Sequence, residues 1–205
     1  MTTAADTETR LLDAAERLFA ERGVGAVSLR AVMQEAGTNV AAVHYHFGSK
    51  EALLEAVVRR RTEEISTGRS QVLEQQAASD ARALAIAFIG PLRDLAESGS
   101  RDWVRVVAHL LSTNDPALAP ISSTFFERNA AFVDHVARLD PSAGPRTIAF
   151  RLTQAMVLTL RVLGDPEQTR VLMTGEGEPW TTDQVVDELV ALVAAVLAGP
   201  PPTNE

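Results

Sequence analysis

Residues 28–51 read SLRAVMQEAGTNVAAVHYHFGSKE, and the spacing of their caps and glycines decides the fold. Ser28 offers a hydroxyl that caps a short helix predicted over 29–36. Gly37 stops that helix, because glycine alone reaches the left-handed conformation of a helix C′ position without penalty. Asn39 supplies a new N-cap, and 40–47 reads as a second short helix. Gly48 and Ser49 break the chain again, and Ser49 caps a third, longer helix carrying Lys50 and Glu51 in its first turn. Helix, tight glycine turn, helix is the arrangement that places a second helix in a DNA major groove.

Outward from this stretch the pattern stays helical. Residues 1–6 read as a tail, and Thr7 or Thr9 caps a helix whose Leu11, Ala14, Ala15, Leu18 and Phe19 form one buried stripe before Gly23 ends it. With Val32, Ala36, Val43 and Phe47 they close a small three-helix core, marginal alone. The helix from Ser49 repeats Leu54, Val58, Arg61, Ile65, Gly68 and Val72 at steps of four and three. Over 50–74 it spans on the order of 37 Å, with Gly68 as its expected weak point. Beyond Ser79 no strand alternation occurs. Helices are expected over 80–98, kinked at Pro91; over 101–112, capped by Ser100; from Pro120 unbroken to Leu139; and over 145–163. Residues 164–179 read as loop with one turn after Pro166, and Thr181 with Gln184 fits a capping box that starts the last helix.

The fold class is therefore all-α. Residues 1–48 are expected to form an N-terminal helix-turn-helix domain and 49–205 a C-terminal helical domain, joined by the helix over 49–74. On the final helix Val185, Leu189, Leu192 and Val196 form one apolar stripe, with Val186, Val190, Val193 and Leu197 beside it. A surface helix needs only one, so the helices over 145–163 and 182–198 are expected to pair in a homodimer. A helix central to a monomer's own core is the alternative.

The 205 residues carry a net charge of −8, which at first argues against a nucleic-acid partner. The distribution softens this. Over 1–61, Arg10, Arg17, Arg22, Arg30, Lys50, Arg59, Arg60 and Arg61 balance Asp6, Glu8, Asp13, Glu16, Glu21, Glu35, Glu51 and Glu55. The negative excess lies elsewhere, and a neutral surface still binds phosphates, with a shallow salt slope. The absence of cysteine excludes a disulfide framework and suits a reducing cytoplasm. No signal peptide is legible, and the apolar run over 189–199 falls short of the roughly 20 residues that span a bilayer. A cytoplasmic protein with no membrane association is expected.

The segment LLDAAERLFAERGVGAVSLRAVMQEAGTNVAAVHYHFGSKEALLEAVV resembles the TetR family (tetracycline-repressor-type) of transcriptional regulators. LLDAAERLFAERG, then AG, then YHFGSKEALL carry the resemblance at their mutual spacing; the rest of the chain matches in layout only. The resemblance implies a repressor that binds a palindromic double-stranded DNA operator as a homodimer and is released by a small-molecule effector bound in the C-terminal domain. It implies phosphate contacts at Ser28, Tyr45 and Lys50, and a guanine contact by Arg30, whose fork suits O6 and N7. Asn39, Val40 and Ala41 match the first turn of the recognition helix. His44 stands where the family often has tyrosine, and His46 matches a histidine near the DNA backbone.

Other side chains have plainer accounts. His44 and His46, two residues apart on a helix, point about 200° apart, which argues against metal; no metal and no cofactor are expected. Arg59, Arg60 and Arg61 read as a solvated face with local salt bridges to Glu55, Glu63 and Glu64. His109 and His135 fall on polar faces. No nucleophile–base pair, G-x-S-x-G or phosphate-binding glycine loop occurs, so an enzyme is not expected. Asn129 interrupts an apolar stripe, and with Phe88, Trp103, Phe126 and Met156 it outlines a pocket for a largely apolar effector. The rival is an all-α small-molecule-binding protein or enzyme whose N-terminal helices mediate protein contacts.

Overall fold

A computed structural model describes residues 4–38, 46–76, 80–172 and 180–200. Among them every regular element is helical: α1 (Ala4–Arg22), α2 (Leu29–Glu35), α3 (Lys50–Gln76), α4 (Ala81–Leu95), α5 (Arg101–Thr113), α6 (Ala119–Arg128), α7 (Ala130–Leu139), α8 (Pro145–Gly164), α9 (Pro166–Leu172) and α10 (Thr182–Ala198). The second helix expected over 40–47, including Val43, lies mostly outside the described residues.

The punctuation of the opening stretch works as its chemistry demands. The Ser28 hydroxyl accepts from the Ala31 N–H at 3.2 Å, and Ser49 does the same for Ala52 at 3.1 Å. Gly37 has φ 60°. Its N–H bonds to the Gln34 carbonyl and the Thr38 N–H to that of Met33, the paired bonds of a Schellman ending. Arg10 of α1 then donates to the carbonyls of Ala36 and Gly37, and Arg17 pairs with Glu35. Two cations of α1 are thus spent on holding α2 and its turn in place.

α3 is unbroken and about 40 Å long at 1.5 Å per residue. Gly68 is a packing position rather than a weak point: a Cβ there would stand 3.1 Å from the Pro91 ring of α4. Pro91 in turn lies inside α4 without ending it. α4 packs on α3 and α10, and α8 packs on α5 and α10. α1 also packs against α5, a contact that no local pattern announced.

Several boundaries differ from expectation. α1 begins before Thr7 and Thr9, and Thr9 bonds back to the Ala5 carbonyl instead of capping. Ser100 makes no cap; its hydroxyl accepts from Arg61 at 3.0 Å, after a π-type turn over Ala96–Ser100 in which Gly99 has φ 97°. The helix expected up to Leu139 breaks at Asn129, whose φ of −113° and ψ of 23° are not helical. Residues 166–172 form a helix, not a single turn. The Thr181–Gln184 capping box is present. Arg60 and Arg61 are not merely a solvated face. Arg60 reaches Asp13 of α1 at 2.5 Å, while Arg61 joins Glu64 and Ser100.

Arg151 of α8, 8% exposed, secures the end of α10. It donates to the Ala198 carbonyl at 3.3 Å and to Asp140 at 2.8 Å. Hydrogen bonds from Ser142 and then Arg151 hold the Asp140 carboxyl below its ordinary range. The guanidinium fits because Gly199 has no side chain: a Cβ there would fall 2.1 Å from Nη2. Gly199 also takes φ 79° and ψ −178°, a region essentially closed to other residues. Gly199→Ala is therefore expected to destabilise the chain by roughly 1–3 kcal/mol, read as a lower denaturant midpoint with an unchanged slope.

Candidate nucleic-acid interface and ligand cavity

At the N-terminal end, Ser28 and Arg30 are exposed at the start of α2, and Lys50 is half-buried at the first position of α3. A cation at a helix N-terminus opposes the helix dipole, so Lys50 gains nothing there from its own helix. The same turn is rich in donors: its own backbone N–H and the Ser49 hydroxyl hold the Glu51 carboxyl below its ordinary range. The helix dipole and the lysine both favour an anion such as phosphate at this turn. His46 differs. Its side chain is only 10% exposed, and Nδ1 lies 3.7 Å from Glu8 of α1. Asn39, Val40, Ala41, His44 and Tyr45 lie outside the described residues.

A cavity of about 570 Å³ opens between α3, α5, α6 and α8, a volume within the usual range for small-molecule sites. Trp103, Phe126, Asn129 and Met156 line it, as their inward positions predict, alongside Val107, Leu111 and Phe125. Phe88 does not. It is fully buried, edge-on to Phe132 with centroids 5.3 Å apart. Its ring lies 3.9 Å from the Arg69 guanidinium carbon.

Arg69 is the lining residue that sequence reasoning missed. It is 3% exposed and sits four residues after Ile65, within an apolar stripe that also takes in Leu73. A charged residue inside such a stripe was the available signal. Its Nε donates to the Phe88 carbonyl at 2.9 Å, and Nη1 to the Asn129 side-chain oxygen at 3.2 Å. Among the described residues Nη2 meets the Met156 sulfur, at 3.7 Å. Burial pushes its pKa down to about 9. Asn129 completes its own bonding by donating to the Phe125 carbonyl at 2.7 Å. Its partners thus come from the chain, and its place at the α6–α7 break lets it orient Arg69.

The cavity and the N-terminal helices meet at Trp103. Its indole lines the cavity, and its Nε1 donates to the Val57 carbonyl of α3 at 2.8 Å. Glu16 of α1 stands at the same junction, 6% exposed and 3.8 Å from Arg60.

Two family models match the chain. One, bacterial regulatory proteins of the tetR family, covers residues 11–57; the other, the tetracyclin repressor-like C-terminal domain, covers residues 86–196, more than half of the sequence. The chain belongs to the TetR family. It is 26% identical over 196 residues to the HTH-type transcriptional repressor KstR2 of Rhodococcus jostii (strain RHA1), covering 94% of this chain and 91% of that one. A further relative is the HTH-type transcriptional regulator UidR of Escherichia coli (strain K12), 37% identical over 57 residues, 28% of this chain and 29% of that one. Among solved structures, KstR2 of Mycobacterium tuberculosis superposes with a TM-score of 0.57 at 19% identity, covering 91% of this chain and 92% of that one. A tetR-family protein from Rhodococcus RHA1 reaches 0.63 at 17% identity, with 95% and 98% covered.

Membership makes the chain a DNA-binding transcriptional regulator with a helix-turn-helix, and its relatives are named as regulators rather than enzymes. Among the described residues no helix is long and apolar enough to cross a membrane, and no cluster of three potential metal ligands occurs.

Burial raises the Glu16 carboxyl above its ordinary 4.5; Asp13 and Asp102 add to this, while Arg61 and Arg60 oppose it. The native state therefore binds this proton more tightly than the unfolded chain does. Stability falls as pH rises from about 4.5 through the raised value. Glu16→Gln removes that loss. Its unfolding midpoint is expected to match the parent near pH 4 and to exceed it at neutral pH, in denaturant titrations across that window.

Proposed function

We propose that this TetR-family chain is a repressor that binds a palindromic operator as a homodimer and is released when a small molecule enters the cavity. The N-terminal domain, 1–48, reads DNA, and 49–205 binds the effector and dimerises. The observation that carries the coupling is Trp103, which lines the cavity and bonds to the Val57 carbonyl of α3. A ligand that moves the indole acts directly on the helix leading back to Ser49. The α1–α5 contact supplies a second connection. An effector shifts the equilibrium only by its differential affinity for the bound and released states. Repression is favoured because the relative aligned over nearly all of both chains is named a repressor.

Ser28 and Lys50 contact phosphates at two helix starts, with Tyr45 as a third such contact. Arg30 reaches a guanine edge. Asn39, Val40 and Ala41 begin the recognition helix, the latter two offering only apolar contact such as a thymine methyl. His44 faces the groove, while His46, set against Glu8, supports the helix end beside the DNA backbone. Arg10 and Arg17 are engaged within the domain, so few cations remain to share this work. Arg30→Ala should weaken operator binding by about 1–3 kcal/mol and relax preference at one base pair. Tyr45→Phe should weaken all sequences alike. Fluorescence anisotropy on a footprinted operator reads both, and unchanged affinity in both variants would overturn these contacts. Half-sites should lie roughly 34–36 Å apart, or a multiple of that spacing.

The dimer face is assigned to α8 and α10. Phe150 is 64% exposed and Leu192 is 55% exposed, whereas Val185 and Leu189 of the first stripe and Val186, Val190, Val193 and Leu197 of the second are buried within the chain. Leu192→Asp should weaken the dimer by about 2 kcal/mol or more. Sedimentation velocity at micromolar concentration should then show monomer, and a dimer as tight as the parent's would move the interface elsewhere.

A further inference from the structure

Arg69 and Arg151, the buried arginines among the described residues, are built differently. Arg151 rests on the Asp140 carboxylate, and even the half-buried Arg60 finds Asp13. Arg69 forms no ion pair with any described carboxylate; its partners are a backbone carbonyl, an amide oxygen, a thioether and the face of Phe88. Its two Nη groups carry four N–H bonds and, among the described residues, meet one amide oxygen and one weak sulfur acceptor.

A guanidinium so enclosed, without a countercharge, is unfavourable to the folded chain, and apolar replacement of such groups is often stabilising. Arg69 does link α3 to α4 and to Asn129, but its bonds leave its charge uncompensated, whereas Arg151 has the Asp140 carboxylate. It lines the cavity, and Asn129 orients its fork. Two other charged residues line the cavity: Asp115, which caps the turn over Pro116–Leu118 through the Ala117 N–H at 2.9 Å, and Arg128, which unlike Arg69 is exposed. Much of the remaining wall is apolar: Trp103, Val107, Leu111, Phe125, Phe126 and Leu160.

We infer that the effector is an amphiphile with an oxyanion head, in the simplest case a carboxylate, and that Arg69 receives this head while the apolar wall takes the body. The inference rests on the cavity being the effector site. A planar guanidinium matches a carboxylate through two parallel N–H···O bonds, and the surrounding low dielectric strengthens a charge pair that water would weaken. The ligand supplies the countercharge that the fold withholds.

The test uses the full chain carrying Trp180→Phe, which leaves Trp103 as the sole tryptophan and an intrinsic reporter of the cavity. Decanoate, methyl decanoate and decanol are titrated below their micellar concentrations, with the neutral probe N-phenyl-1-naphthylamine as competitor. Decanoate should bind at least tenfold more tightly than the ester or the alcohol. Arg69→Met should abolish that preference by weakening decanoate alone, leaving the ester unchanged or tighter. Arg69→Lys, which keeps the charge without the fork, should retain part of the preference. Ester and alcohol binding as well as decanoate to the Arg69 protein would overturn the head-group assignment and leave the cavity as a ligand site. If neither the probe nor any of the three compounds perturbs Trp103, the cavity itself is not the site and both proposals fall.

Discussion

One helix, α3, is held at successive points by different partners, and the rest of the structure depends on its rigidity. Near its start Arg60 is tied to α1 through Asp13. One turn earlier the Val57 carbonyl takes the Trp103 indole. About two-thirds of the way along, Gly68 admits Pro91 of α4, and Arg69 reaches the Phe88 carbonyl behind it. A 27-residue helix is far beyond the length at which isolated helices become stable, but its register is fixed by these contacts rather than by propensity. Shifting α3 by one turn would separate Trp103 from Val57, Arg69 from Asn129 and Lys50 from the turn it opens. The DNA-reading end and the cavity are thus parts of one registered element.

The second half of α3 also decides the chemistry of the cavity. Arg69 is charged at neutral pH even with its pKa pushed down to about 9. Asn129, at the break between α6 and α7, is fixed by its bond to the Phe125 carbonyl and so presents its oxygen to Nη1. Trp103 and Phe126, with Phe125 and the aliphatic lining, make an apolar container. Arg69 and Asn129 give that container an orientation.

Much of this was legible in the residues. Ser28, Gly37, Ser49 and the Thr181–Gln184 pair act locally, each through a bond to a backbone group within a few positions, and local chemistry is what a sequence displays. Trp103, Phe126, Asn129 and Met156 were found for a related reason, since helical spacing turns them inward. Two kinds of feature escaped. Residues with two uses misled: Asn129 continues an apolar stripe yet ends a helix, and Gly68 could have weakened α3 but admits a neighbour. Long-range partnerships escaped as well. Nothing near Arg60 names Asp13, nothing in α1 names α5, and Arg69, though it falls within the Ile65–Leu73 stripe, has no legible partner until α4 and α8 close over it.

The α1–α5 packing changes what an effector has to do. A domain hung from a single helix could bend away in any direction. Here the N-terminal helices are attached at two separate places, through the start of α3 and through the flank of α5. A rigid body held at two places keeps one easy motion, rotation about the line joining them. Turning about that line is the motion that the contacts of α1 with α3 and α5 leave open to the N-terminal helices.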